Sequence, residues 1–303
     1  MNVTEIGEDL FLVDLETGGF EGIAAAYILK GAKSIIVETG PTSSVGNLFS
    51  SLLGLGIHPD DVAYVAVSHV HVDHAGGVGT LLKSLPNAKV IVHPNGLKHM
   101  IDPERLWKQT KLVLGKVADV YGAPEPVPED RLVGAANNMI FDVGKNTKLK
   151  VVETLGHAAH HLSFYSQRHN GIFTGDAAGI YLSKVDAVIP TTPPPFRLEM
   201  TLTSLEKLGR FKPKRLFYSH FGVADKAENR LRLYADQLRL WMKIAQEGVA
   251  KGDTVEKITN RIFEEDRTMT RIVAYVEANE ILMKAGVGNS IQGLIESAKE
   301  ICT

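Results

Sequence analysis

Cysteine is nearly absent from this chain of 303 residues: the single one, Cys302, excludes an intrachain disulfide and any thiolate-rich metal site. A reducing, cytoplasmic setting is the expectation. Long apolar runs are also missing, and no stretch approaches the roughly 18 residues that a membrane span requires, so no membrane partner is expected. The N-terminal segment MNVTEIGEDLFLVDLETGG carries acids where a secretory signal carries basic residues. Neither sign of charge dominates, with 33 Lys and Arg against 35 Asp and Glu, which removes the electrostatic reason to expect nucleic acid as a partner. What remains is the composition of a folded domain, 44% hydrophobic and 22% charged, with a full core to bury.

The hydrophobic periods describe mixed α and β structure. Short β-branched runs read as strands at Asp9 to Leu15, Ala24 to Leu29, Ser34 to Glu38, Val62 to Ser68, Lys89 to Val92, Leu149 to Thr154, Leu162 to Ser166, Gly171 to Thr174 and Lys214 to Ser219. Helices are predicted over Ser43 to Leu55, which begins after Pro41, and over Val78 to Leu85, which stops at Pro86. Leu198, Leu202, Leu205 and Leu208 form one apolar stripe that predicts a cover helix from Leu198 to Phe211. A helical insert is predicted over about 95–131, where Trp107 between Leu106 and Leu114 reads as packing. From residue 223 onward the chain reads as all helix, with Leu231, Tyr234, Leu238, Trp241 and Ile244 on one face. Two units follow, 1–222 and 223–303, the second a candidate homodimer interface or a lid.

The chemistry concentrates in Ser68 to Gly77, SHVHVDHAGG, directly after an apolar strand. Three imidazoles and a carboxylate crowded onto one turn add desolvation penalties that packing alone does not offset, and metal coordination supplies the missing favourable term. On an extended segment His69 and His71 point to the same side, whereas Asp73 and His74 lie past the turn and reach a separate point. Two divalent ions are therefore easier to justify than one, and each needs at least one ligand more. His157, Asp176 and His220 each follow a predicted strand, at the carboxyl edge where functional groups of layered α/β folds collect.

Together HVHVDH at 69–74, GHAAHH at 156–161, FTGDAAG at 173–179 and YSHFG at 218–222 resemble the metallo-β-lactamase superfamily, in its order, over about residues 5–222. The chain looks especially like the branch containing glyoxalase II and lactonases. The resemblance implies a four-layer αββα sandwich carrying an all-helical C-terminal extension. It implies that His69, His71 and His157 bind one metal, that Asp73, His74 and His220 bind the other, and that Asp176 bridges them. Zinc is the expected ion, with iron and manganese as alternatives. Glu38 stands where relatives commonly carry aspartate, and Glu38 and His161 are expected to orient ligands from behind. His160 stands where the family often has glycine and receives no role.

The expected reaction is hydrolysis of an ester, lactone or thioester by a hydroxide shared between the two metals, with Asp73 orienting the nucleophile and passing a proton to the leaving group. The substrate is expected to be a small molecule. The segment TTPPPF, Thr191 to Phe196, reads equally as a rigid loop over the site and as a linker, and Tyr181 and Phe196 are the candidate substrate contacts. Two alternatives share the fold. A phosphodiesterase or ribonuclease needs a basic groove, whereas Arg230, Arg232 and Arg239 alternate with acids along the tail. A persulfide dioxygenase uses a single iron, which leaves His74 and His220 unexplained.

Overall fold

The computed structural model of the chain describes residues 2–278 and 282–302, so expectations touching residues 1, 279–281 and 303 lie outside the described residues. The first sheet runs in the order β1 (Val3–Gly7), β2 (Leu10–Asp14), β3 (Ala25–Leu29), β4 (Ser34–Val37), β5 (Val62–Ala66), β6 (Lys89–Val92) and β7 (Leu132–Gly134). Its first four strands are antiparallel and its last four parallel. The second sheet contains β8 (Ile140–Asp142), β9 (Lys148–Glu153), β10 (Leu162–Ser166), β11 (Gly171–Gly175), β14 (Arg215–Tyr218) and β15 (Gly222–Asp225), in the order β15-β14-β11-β10-β9-β8. A separate hairpin joins β12 (Ile180–Leu182) to β13 (Ala187–Ile189).

Alternation of side chains sorts the apolar residues into three cores, which is the signature of four layers. Leu10, Leu12, Tyr27, Leu29 and Ile35 of the first sheet meet Leu149, Val151, Phe164, Phe173 and Phe217 of the second in the central core. Their strand neighbours Val13, Ile28 and Ile36 point the other way and are covered by α1 (Val45–Gly54) and α3 (Val78–Leu82), through Leu48, Leu52, Val78 and Leu81. The structure is thus the αββα sandwich with a helical C-terminal region. The β3 sequence AAYIL is buried at every position because both of its faces are covered. Tyr27 also ties the sheets together, its hydroxyl donating to the Tyr218 carbonyl at 2.7 Å.

The outer face of the second sheet is covered by α7 (Leu198–Gly209) and α8 (Ala227–Lys251). All five stripe residues of α8 are buried. α9 (Val255–Glu265) is capped by Thr254, whose hydroxyl accepts from Lys257 N–H. α10 (Arg267–Glu277) is capped by Asp266, which also accepts from Gln237 and from the Trp241 indole, both at 2.7 Å. That one buried carboxylate fixes α10 against α8. α11 (Asn289–Cys302) follows a π-helical turn at Leu282–Gly288. No helix of the described residues is long and apolar enough to cross a membrane.

The insert holds α4 (Leu97–Ile101), α5 (Glu104–Leu114) and α6 (Lys116–Tyr121), with α2 (Val72–Ala75) being the turn that carries Asp73 and His74. α5 buries none of its residues, so Trp107 is half-exposed beside Lys111 instead of packed in a core. The apolar side of α5 faces a cleft through Leu106, Leu112, Val113 and Leu114.

Candidate metal centre

Four strand ends converge on one rim. β5 leads into His69, His71, Asp73 and His74; β9 leads into His157; β11 into Asp176; and β14 into His220. Their donor atoms form three groups, each lying within 4.8 Å: His69, His71 and His157; His69, His74 and Asp176; Asp73, His74 and His220. Within these groups His69 Nε2 is 2.9 Å from His71 Nδ1, His157 Nε2 is 3.3 Å from the same atom, and His220 Nε2 is 3.1 Å from His74 Nε2. Asp176 joins the two sides, with Oδ1 at 3.4 Å from His74 Nε2 and Oδ2 at 3.5 Å from His157 Nε2. Asp73 Oδ2 reaches His220 Nε2 at 3.4 Å.

Partners behind each ring decide which nitrogen faces inward. His157 Nδ1 donates to the Thr191 carbonyl at 3.0 Å and His220 Nδ1 to the Ile23 carbonyl at 2.8 Å, which leaves each Nε2 as a lone pair aimed into the cluster. His69 Nδ1 meets Ser68 Oγ at 2.9 Å. His74 Nδ1 faces Glu38 Oε2 at 3.3 Å, off the angle of a hydrogen bond, while Glu38 Oε1 accepts from Ser68 N–H at 3.1 Å.

His161 sits one layer further out, and its tautomer follows from its neighbours. Its Nε2 accepts from Asp176 N–H at 3.1 Å, so Nδ1 carries the proton and donates to Thr154 Oγ1 at 2.8 Å. Ser163 Oγ donates to the Thr174 carbonyl, hence Thr154 donates to Ser163. The chain is fully buried and every proton in it has one direction. Gly175 is required beside it: with φ 51°, an added Cβ would stand 2.5 Å from Ser68 Cβ and 2.7 Å from His161 Nε2. A His161→Phe protein keeps the ring volume but loses the acceptor for Asp176 N–H. Metal affinity, read by competition with a chelator, is expected to fall roughly 10- to 100-fold, as is usual for partners behind metal ligands.

Burial pushes the His69 imidazole well below its usual range, and burial with His157 brings His71 down to about 3. Burial lowers His157 too. These rings are neutral, the form that binds a cation. Burial pushes the Asp176 carboxyl up, but His74 and His157 outweigh it and hold the group well below the carboxylate range. His74 is the converse: burial opposes its charge, and Asp176, Asp73 and Glu38 raise it. Inward lone pairs on His157 and His220, two carboxylates, and a buried Asp176 Oδ1 with no hydrogen-bond partner repel one another unless a cation lies between them. The donor set fits divalent metal binding.

Two clefts open onto the cluster. The larger, of about 730 Å³, exposes His71, Asp73, His157 and Asp176 and is walled by α5, by Pro193 to Pro195 and by the start of α11. The smaller, of about 470 Å³, reaches Asp73, Asp176 and His220 past Phe20, Tyr181 and Lys184. Tyr181 lines that cleft, with its hydroxyl donating to Asp186 at 2.9 Å. Phe196 is buried in the outer core and lines neither cleft. His160 lines the larger cleft, its ring 5.8 Å from that of His71. Sequence reasoning missed Thr191, which accepts from His157 through its carbonyl and donates from Oγ1 to Asp176 Oδ2 at 3.4 Å. It begins the TTPPPF segment, but no residue pattern marks its role.

The sequence matches the metallo-beta-lactamase superfamily profile over residues 19–220. A metallo-beta-lactamase fold-containing protein of Sulfurisphaera tokodaii, ST1585, is 33% identical over 211 residues, which is 68% of this chain and 76% of the relative. The crystal structure of ST1585 shares the fold with a TM-score of 0.62 at 30% identity, covering 71% of this chain and 80% of that one. The N-acyl homoserine lactonase AttM of Agrobacterium fabrum is 27% identical over 172 residues, 51% of this chain and 61% of its own. An atrochrysone carboxyl ACP thioesterase of Aspergillus chevalieri is 26% identical over 163 residues, 52% of this chain and 42% of its own. Matched over two thirds of its length and built on the same sandwich, the chain belongs to the metallo-beta-lactamase superfamily.

Proposed function

We propose that this protein is a binuclear metal-dependent hydrolase acting on a carbonyl substrate, an ester, lactone or thioester. His69, His71 and His157 would hold one ion and Asp73, His74 and His220 the other, with the Asp176 carboxylate between them; imidazole and carboxylate donors favour zinc. When bound, the ions supply a strongly acidified water and a Lewis acid for the substrate oxygen. The remaining work belongs to the chain. Asp73 is the one carboxylate of the cluster with substantial exposure, 27% of its side chain against 6% for Asp176, and it borders both clefts. It is placed to orient the nucleophile and to pass its proton to the leaving group. Thr191 and His161 hold His157 and Asp176 in position.

The observation that carries this reading is the convergence of seven donor side chains from four strand ends. The lactonase and thioesterase relatives support a carbonyl substrate. The same reading divides the chain into a sandwich unit over 1–222 and a helical extension over 223–303, which share the outer apolar core. Elemental analysis of native protein should find two ions per chain. On that sample, thioesters and lactones should be turned over faster than phosphodiesters and β-lactams. Metal-free native protein, or turnover of phosphodiesters alone, would sink the proposal.

A further inference from the structure

Where the two clefts meet, they share Asp73, Tyr121, Asp176 and Thr191. Three of these belong to the cluster or support it. Tyr121 does not. It is the last residue of α6, between two glycines of positive φ, Gly115 at 53° and Gly122 at 76°, which turn the short helix in from the rest of the insert. Its ring is buried, yet its hydroxyl has no hydrogen-bond partner among the described residues. The ring is fixed by burial while the hydroxyl opens onto the junction of the two clefts, where it is free to donate to a ligand.

The tyrosine is also held rigidly relative to the metal-binding turn. Thr42 Oγ1 lies 2.9 Å from the carbonyls of both Gly76, just after His74, and Ala123, just after Gly122. On the other side α6 lies against the turn at Thr17–Gly19, where a Cβ on Gly18 would meet Val120 at 2.7 Å. One threonine therefore couples the loop that carries Asp73 and His74 to the loop that carries Tyr121. Resting on the hydrolase reading above, we propose that Tyr121 is a further catalytic residue, whose hydroxyl donates a hydrogen bond to the substrate's acyl oxygen as negative charge builds there.

The hydroxyl is suited to donating a hydrogen bond without giving up its proton. Burial first, then the Asp73 and Asp176 carboxylates, push the phenol up from its usual value. A phenol is a neutral donor at neutral pH, and its hydrogen bond strengthens as the acyl oxygen gains charge. That selectivity for the transition state separates it from uniform substrate binding. No proton is transferred by the tyrosine, so the chemistry of the leaving group stays with Asp73.

The test is Tyr121→Phe, which preserves the ring and removes only the donor. Native-purified variant and wild type are compared in metal content, in kcat and KM on aryl esters and thioesters of differing leaving group, and in affinity for an inert phosphonate that mimics the tetrahedral oxyanion. The expectation is unchanged metal content and thermal midpoint, kcat down roughly 100-fold with KM little changed, and phosphonate affinity down by a similar factor. The kcat loss should be equal for good and poor leaving groups, because the hydrogen bond goes to the acyl oxygen. A kcat and phosphonate affinity equal to wild type would overturn the role of Tyr121 while leaving the hydrolase intact. A loss confined to poor leaving groups would overturn the assignment to the acyl oxygen. Wild-type protein that holds metal but neither turns over nor binds the phosphonate would end both readings.

Discussion

Asp176→Ala is expected to purify with less than half of the wild-type metal and to lose roughly 1,000-fold or more in ester turnover, well beyond the 10- to 100-fold typical of partners behind ligands. The reason is its position between the two sides. Oδ1 faces His74 at 3.4 Å and Oδ2 faces His157 at 3.5 Å, so one truncation removes a donor from each half. It also removes the anionic charge that the surrounding imidazoles need when a dication sits among them. His71→Ala removes a donor from one side only and should cost less metal. Asp176→Asn keeps the shape and the contact with Thr191 Oγ1 but loses the charge, and should fall between the two. Elemental analysis and initial rates on one ester measure all three; a D176A protein with wild-type metal and turnover would show that the carboxylate does not hold the ions.

The cluster was legible in the sequence because its donors follow strand ends and two of its four segments, HVHVDH and GHAAHH, carry crowded imidazoles. HVHVDH packs three imidazoles and a carboxylate into six residues, and a run of that kind has few structural explanations. The core strands were legible too, since β2 to β6, β9, β10, β11 and β14 are apolar on at least one whole face. The strands without a sequence signal are the edges of both sheets, β1, β7, β8 and β15, together with the β12–β13 hairpin. An edge strand is paired on one side and wet on the other, so Val3–Gly7 and Ile140–Asp142 carry mixed polarity over too few residues to show a period. Supporting residues were illegible for a different reason. Thr191 acts through its carbonyl, which any residue possesses, and Tyr121 acts from an insert whose relation to the rim exists only in the folded chain. Phe196 illustrates the converse: an aromatic beside prolines resembles a cleft wall, but packing claims it for the outer core.

Gly293→Ala, in the tail and remote in sequence from every ligand, is expected to destabilise the fold by about 2–3 kcal/mol and to weaken metal binding roughly 10- to 100-fold. A Cβ at Gly293 would stand 1.9 Å from the Thr192 carbonyl oxygen and 2.9 Å from the backbone of Pro193 and Pro194. Ordinary contact is about 3.5 Å, so the segment or α11 must shift by about 1.5 Å. The segment has little freedom to absorb it. Ser290 accepts from Thr192 N–H at 3.2 Å through its hydroxyl, and its carbonyl accepts from Thr192 Oγ1 at 2.8 Å, while three successive prolines follow. One residue earlier, Thr191 anchors His157 Nδ1 and Asp176 Oδ2, so a displaced backbone turns two ligands at once. The tail thus does more than cover the second sheet: α11 clamps the segment that aims part of the metal cluster. Gly46→Ala in α1 provides the comparison, because its Cβ would meet nothing within 4 Å and a helical glycine replaced by alanine should gain about 0.5–1 kcal/mol with metal affinity unchanged. Thermal unfolding and chelator competition on the two variants distinguish the clamp from a general cost of adding a methyl group. If Gly293→Ala lowers stability but leaves metal affinity at the wild-type value, the 190–195 segment does not transmit the position of the tail to His157.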